Sequence, residues 1–282
     1  MSESILEFGE PIIHSYNFEV LSYDSQFFIL NLGTVFVTFL CTFVAIIFSK
    51  IYIKIQRAFC ARSRIFNKIT DFLYSRILYG MIIRLFLESY IEIAISGFLQ
   101  VKNISADGSG TLFSSIAAVC FLLACIVIPP ALIVVYKLYK DMMPVKQFQV
   151  QYGSIYEDLR LKSDSAMLFV LLFMMRRLII SMSYVFLVDY PVFQWQICMI
   201  SSVFQSLYVG LVLPYTSSVM NFVEIFNELV CLIICYFYVC MSEVGFDGKI
   251  RYDIGWTVIL IVLISLLVNL LVITIFLFSQ FK

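Results

Sequence analysis

Seven stretches of the chain are apolar over lengths that suit a membrane, and polar residues collect almost entirely between them. The stretches are about Phe27–Phe48, Ile77–Leu99, Leu112–Tyr136, Ala166–Val188, Val192–Leu213, Phe226–Met241 and Ile254–Phe278. Crossing roughly 30 Å of hydrocarbon takes about 20 helical residues. The sixth stretch reaches that length only if its helix begins near Glu224. Asp189, Tyr190 and Pro191 alone join the fourth to the fifth, which predicts a tight helical hairpin. The pattern predicts an all-α fold, a polytopic transmembrane helix bundle of about seven spans over residues 27–278. A tail at 1–26 and a short end at 279–282 flank it.

Composition agrees. The 282 residues are 62% hydrophobic and 13% charged, with a mean hydropathy of +0.97. Soluble domains run near 45–50% apolar and about 25% charged, so this chain is built for lipid. Orientation follows from where the lysines and arginines lie. The loop 50–76 holds Lys50, Lys54, Arg57, Arg62, Arg64, Lys68 and Arg76; the loop 137–165 holds Lys137, Lys140, Lys146, Arg160 and Lys162; Lys282 follows the last span. If every stretch spans, these thirteen share one side, against Lys102, Lys249 and Arg251 on the other. The tail carries Glu3, Glu7, Glu10, Glu19 and Asp24 and no basic residue. The expected topology is N-terminus outside and C-terminus cytoplasmic, with 100–111 and 242–253 as extracellular loops. Asn103-Ile104-Ser105 is an N-glycosylation sequon in a loop this topology places outside. The tail lacks the basic start and early apolar core of a cleavable signal peptide, so the first span is expected to act as the signal-anchor.

Little in the chain suggests catalysis. His14 is the sole histidine, which excludes bis-histidine haem, histidine zinc sites and an intramembrane Ser–His dyad. Phosphate-loop, dinucleotide and H-E-x-x-H motifs are missing. No cofactor, metal or nucleic-acid partner is expected, and the chain reads as non-enzymatic. Seven of the cysteines lie in apolar runs, and Cys231 and Cys235 read as small packing residues. Cys60, in the basic loop, is a candidate for palmitoylation. That loop interleaves charges with Ile51, Ile53, Ile55, Phe59, Ile65 and Phe66, a pattern that suits contact with anionic lipids as well as a purely topogenic role. Pro129-Pro130 in the third span should free helix carbonyls that neighbours must satisfy.

The informative residues are the charges inside the spans, because charge in hydrocarbon needs a partner or water. Arg84, Glu88 and Glu92 follow one helical face at i, i+4 and i+8. Arg176 and Arg177 lie about 100° apart around the fourth span, and Glu228 sits in the sixth. Counting about 1.5 Å per residue puts Glu88 and Arg177 at one depth, roughly 16 Å from the inner boundary. An ion-pair network across the second, fourth and sixth spans is expected, serving registry or, alternatively, an ion or proton path. Balanced signs argue against a strongly selective pore. Asn269 in the seventh span reads as an interhelical hydrogen-bonding residue.

Gln151–Asp158 (Gln-Tyr-Gly-Ser-Ile-Tyr-Glu-Asp), Met175-Arg176-Arg177-Leu178, Val188-Asp189-Tyr190-Pro191, Glu224-Ile225-Phe226-Asn227-Glu228 and Arg251-Tyr252-Asp253-Ile254-Gly255-Trp256 form a set. With Ser22–Gln26 and Arg84–Tyr90, the set resembles the C-terminal transmembrane module of ciliate TRP-like, receptor-related surface proteins, over about residues 20–275. Members of that family commonly carry a large cysteine-rich ectodomain before the module; the 26 residues here contain no cysteine. The resemblance implies a plasma-membrane, structural or receptor-like subunit that joins ectodomain-bearing membrane partners. Its alternative is a TRP-like cation channel or channel subunit. An organellar accessory subunit sits poorly with the sequon, and a G-protein-coupled receptor lacks its Asp-Arg-Tyr and Asn-Pro-x-x-Tyr signatures.

Overall fold

The structure, a computed structural model, describes residues 18, 23, 25–59, 70, 73, 80–104, 108–143, 145–156, 158–161, 163–241 and 246–280. Among these the chain is helical, with one isolated antiparallel bridge between Leu159 and Tyr215. Six helices are long and apolar enough to cross a bilayer. The protein is an integral membrane protein with a polytopic helical fold.

A single turn, α1 (Phe28–Asn31), leads into α2 (Gly33–Phe59). The first predicted span ends at Phe48, but the helix continues through Phe59. Ile51–Phe59 contains no glycine or proline to stop it, so Lys50, Lys54 and Arg57 extend the same rod. The remainder of the basic loop, Cys60 included, lies outside the described residues apart from positions 70 and 73.

The second predicted span differs from expectation. It is two helices, α3 (Gly80–Glu88) and α4 (Tyr90–Lys102), separated by Ser89. At φ −78° and ψ 0° Ser89 has left the helical basin, and a serine loses little by doing so, since its hydroxyl competes for backbone groups. Helix α5 (Ser109–Tyr139) runs through Pro129 and Pro130, and a 3-10 turn, Lys140–Met142, follows it. The loop 137–165 contains α6 (Lys146–Tyr156), where the Phe148 ring stacks on Tyr139 and lies 4.9 Å from Tyr152. The remaining helices are α7 (Asp164–Phe186), α8 (Pro191–Val212), α9 (Ser218–Met241) and α10 (Gly248–Gln280). Helix α9 begins six residues before Glu224, so the sixth span has the length its apolar run lacked.

The chain divides into two units, Met1–Glu157 with Val170–Phe186, and Asp158–Phe169 with Leu187–Lys282. In the first, α4 packs on α5 at close range: a methyl group on Gly97 would fall 2.7 Å from Leu122 Cγ. Over Ile93–Gln100 every residue of α4 is buried. Phe18, Ser25 and Gln26 of the predicted tail are buried too, so the described part of the tail is packed against the first unit. In the second unit, α8, α9 and α10 pack in sequence, and Trp195 stacks on Tyr238 with ring centroids 4.7 Å apart.

Exposure is inverted relative to a soluble protein. Phe36, Leu40, Phe43, Phe48, Leu211, Leu266 and Leu267 are each more than half exposed, and only 6% of the most apolar stretch of α10 is buried. At about 25 cal/mol per Å² such faces are untenable in water; in a bilayer they meet the solvent they match.

Candidate functional site

Two groups of polar side chains lie within the apolar helices, and a third joins the loops at 158–160 and 214–216. The first surrounds the interruption at Ser89. The last carbonyls of a helix lack intrahelical donors. Here Ser89 N–H donates to Leu85 O at 2.9 Å, and Arg177 Nη1 donates to Leu87 O at 2.6 Å. The Arg177 guanidinium also lies 4.1 Å from the centroid of the Phe173 ring, one turn back on α7. Arg177 therefore reaches the second predicted span at the depth expected from sequence, and meets backbone beside Glu88. Glu88 and Glu92 are themselves exposed, whereas Arg84, Arg176 and Arg177 are half-buried. These five belong to the first unit and Glu228, buried on α9, to the second.

Two residues past Glu88 a similar repair occurs. Pro129 has no N–H, so the carbonyl four residues earlier, Cys125 O, loses its helical donor. The Tyr90 hydroxyl donates to that oxygen at 2.7 Å. Towards Lys102, Gln100 is fully buried and accepts from Phe28 N–H at 3.0 Å and Ser114 Oγ at 2.8 Å, while its Nε2 donates to Ser115 Oγ at 3.1 Å. Asn103 caps the end of α4, its N–H donating to Gln100 O at 3.2 Å. Ser105 of the sequon lies outside the described residues.

The second group crosses α8, α9 and α10. Trp195 meets Tyr238, and seven residues further along α8, Ser202 Oγ donates to Cys231 Sγ at 3.4 Å. Both contacts obey one antiparallel register, which puts Gln205 at the level of Glu228; both side chains are buried. At the same level Asn227 and Asn269 exchange amide hydrogen bonds of 3.1 and 2.8 Å. Asn269 is the interhelical residue the sequence suggested.

The third group is a clasp. Arg160 N–H donates to Pro214 O at 2.9 Å and Thr216 N–H to Asp158 O at 2.8 Å, flanking the Leu159–Tyr215 bridge. Arg160 Nε donates to Tyr215 O at 3.0 Å. Asn221 closes the loop from the far side: Oδ1 accepts from Tyr215 N–H, and Nδ2 donates to Tyr215 O and Ser217 O. Phe169 packs edge-on against the Tyr215 ring at 5.4 Å. Burial, with Glu224 and Asp158 adding to it, pushes the Tyr215 phenol well above its ordinary range. Asp158 at φ 63° and Leu213 at φ 48° both occupy the left-handed region, which costs a non-glycine residue on the order of 1 kcal/mol. The clasp offsets that strain with its bonds. The sequence reading missed it, because a two-residue pairing leaves no period; the breaker Pro214 and the cap-like Asn221 were its only traces.

Compared with protein-family models, with curated proteins and with solved structures, the chain matches none.

Proposed function

We propose that the chain is a non-enzymatic, seven-span subunit of a cell-surface membrane complex, structural or receptor-like in role, that assembles with ectodomain-bearing partners of the plasma membrane. Helices α3 and α4 together form the second of the seven spans, Gly80 to Lys102, with the N-terminus outside and Asn103 available for glycosylation. The resemblance to the ciliate TRP-like, receptor-related module supports this reading.

One observation carries it. Glu88 is exposed, near the middle of an element whose neighbours are leucine, isoleucine and phenylalanine. A bare carboxylate facing lipid is costly by any scale, so that surface needs a basic or hydrogen-bonding partner supplied by another chain. Gln100, Asn227, Asn269 and Asn221, by contrast, are hydrogen-bonded inside their own units, as expected of a scaffold. Co-purification in mild detergent tests the reading: the wild type should travel with larger partners, and Glu88→Leu should shed them while keeping its own melting temperature. A wild-type chain that purifies as a lone monomer would contradict it.

The second reading is a TRP-like cation channel or channel subunit, favoured by the same exposure of Glu88 and Glu92, one turn apart, if water and not protein covers them. Reproducible cation currents from the chain alone in planar bilayers, absent in Glu92→Gln, would decide for it.

A further inference from the structure

Helix α5 keeps an exposed apolar stripe for longer than a bilayer requires. From Ser109 through the 3-10 turn that ends at Met142 run 34 residues, about 50 Å at about 1.5 Å per residue, against about 30 Å of hydrocarbon. Its lipid-facing side chains recur at intervals of three and four: Val127, Ala131, Val134, Leu138, Met142 and Val145 are all exposed. Lys137 is the first charged residue after Ser109, and it marks the edge of the span. The stripe passes it without a break. Leu138 is 72% exposed, and Met142 and Val145 are each more than half exposed.

A helix running straight on would carry these side chains into water, at a cost of about 25 cal/mol per Å². The chain does not run straight on. Met143 N–H donates to Tyr139 O and Val145 N–H to Met142 O, and α6 then folds back so that Phe148 stacks on Tyr139 at 5.9 Å. Helix α6 also packs against α3, which begins the apolar second span, and this contact holds it at the border of the membrane. Tyr139 and Tyr152, both exposed, carry the amphipathic rings that collect at such a border. Lys137 and Lys140, exposed as well, can cover apolar surface with their stems and keep their ammonium groups among lipid phosphates. Asp141, between Lys140 and Met142, is exposed and suits only water.

We propose that the end of α5, the 3-10 turn and α6 form an interfacial collar, whose ridge of Leu138, Met142 and Val145 inserts between the phospholipid headgroups of the adjoining leaflet. Three features select lipid as the occupant. The ridge continues a stripe that already faces lipid, its two lysines complement phosphate, and its tyrosines suit a half-wet layer. Elements of this kind sink about 5–10 Å into the boundary between headgroups and acyl chains. That takes up part of the roughly 20 Å by which α5 and its turn exceed the hydrocarbon. The inference rests only on the chain crossing the bilayer and is independent of whether it is a scaffold or a channel.

The test is fluorescence of the full chain in phospholipid vesicles, with Trp195→Phe and Trp256→Phe removing its two native indoles. Single tryptophans then replace Leu138, Met142 or Val145 in turn. Lipids brominated high on the acyl chain should quench each of them at least about twofold more than lipids brominated near its end, as a shallow insertion requires. Acrylamide in the water should quench them at least about threefold less than it quenches free tryptophanamide. Acrylamide quenching equal to that of the free compound, with none from either lipid, would put the ridge in water and overturn the proposal. Protection from acrylamide and from both lipids at once would put protein over the ridge and overturn it equally. A nitroxide on Met142→Cys, with native tryptophans kept and native cysteines replaced by alanine, reads the same surface in a differently substituted chain. Oxygen should reach it better than a water-soluble nickel complex does, and the reverse order would also overturn the collar.

Discussion

At the scale of single residues, this chain spends its intramembrane polar groups on mending backbone. Pro129 deprives Cys125 O of its donor, and the Tyr90 hydroxyl supplies one at 2.7 Å. Tyr90→Phe leaves a buried carbonyl unpaired, an omission that costs about 1–3 kcal/mol in soluble proteins and nearer about 0.6 kcal/mol by membrane cycles. Pro129→Ala returns the missing N–H, so Tyr90→Phe should cost markedly less in that background. Melting the two singles and the double in detergent checks it; equal costs in both backgrounds would mean the hydroxyl is not serving that oxygen. Arg177 does the same for Leu87 O, so part of what an arginine needs in the fourth span is met by backbone. A second residue-scale prediction concerns pH. The Tyr23 phenol is raised to about 12 in the folded chain against about 10 unfolded. Its neutral form is therefore favoured by folding, and the stability it contributes is complete below pH about 10 and lost as pH climbs towards 12. Alkaline unfolding of Tyr23→Phe should start at higher pH than that of the wild type, and superimposable curves would refute the assignment.

At the scale of elements, periodicity and run length were legible because lipid demands them, and short-range geometry was not. The apolar runs located α5, α7 and α8 to within a few residues and found α2, α9 and α10, each of which extends past its run at one end, and Asp189–Pro191 marked the break between α7 and α8. The break at Ser89 was invisible, since Gly80–Lys102 reads as one apolar run and only a tertiary donor, Arg177, makes the break tolerable. The Ile51–Phe59 extension of α2 was hidden because its charge density resembles a loop, whereas isoleucine and lysine continue a helix at little cost. The paired amides show the converse: Asn269, the lone amide of its span, could be assigned an interhelical bond from sequence, though its partner Asn227 could not. The clasp yields the element-scale prediction. Asn221 contributes three hydrogen bonds to the turn, so Asn221→Ala should lower stability by about 1–3 kcal/mol. It should also free the exposed Arg160, whose N–H is held by Pro214 O, and trypsin should cleave after Arg160 several-fold faster. Cleavage at the wild-type rate would mean the clasp stands without Asn221.

At the scale of the whole molecule, the structure and the charge distribution bear on the same question from different directions. Helix lengths say that the elements can cross; the lysines and arginines say which way. The clasp adds an independent constraint, because it bonds Asp158–Arg160, in a loop expected to be cytoplasmic, to Pro214–Thr216, which the same topology also places inside. Two segments that share backbone hydrogen bonds occupy one side of the bilayer, and an even number of crossings between them, α7 and α8, satisfies that. The argument extends to the first unit only if α3 and α4 cross together as one element. Were they instead a re-entrant pair, Asn103 and the basic loop 50–76 would lie on one side. Labelling separates the two arrangements. Cysteine introduced at Ser63 and at Ser105, in a background whose native cysteines are replaced by serine or alanine, should differ in intact cells: an impermeant maleimide should modify Ser105→Cys and spare Ser63→Cys until the membrane is opened. Equal labelling of the two would make α3–α4 re-entrant, reduce the crossings to six and move the N-terminus to the side of the C-terminus. Labelling of Ser63→Cys alone would invert the whole chain, against a bias of thirteen basic residues to three.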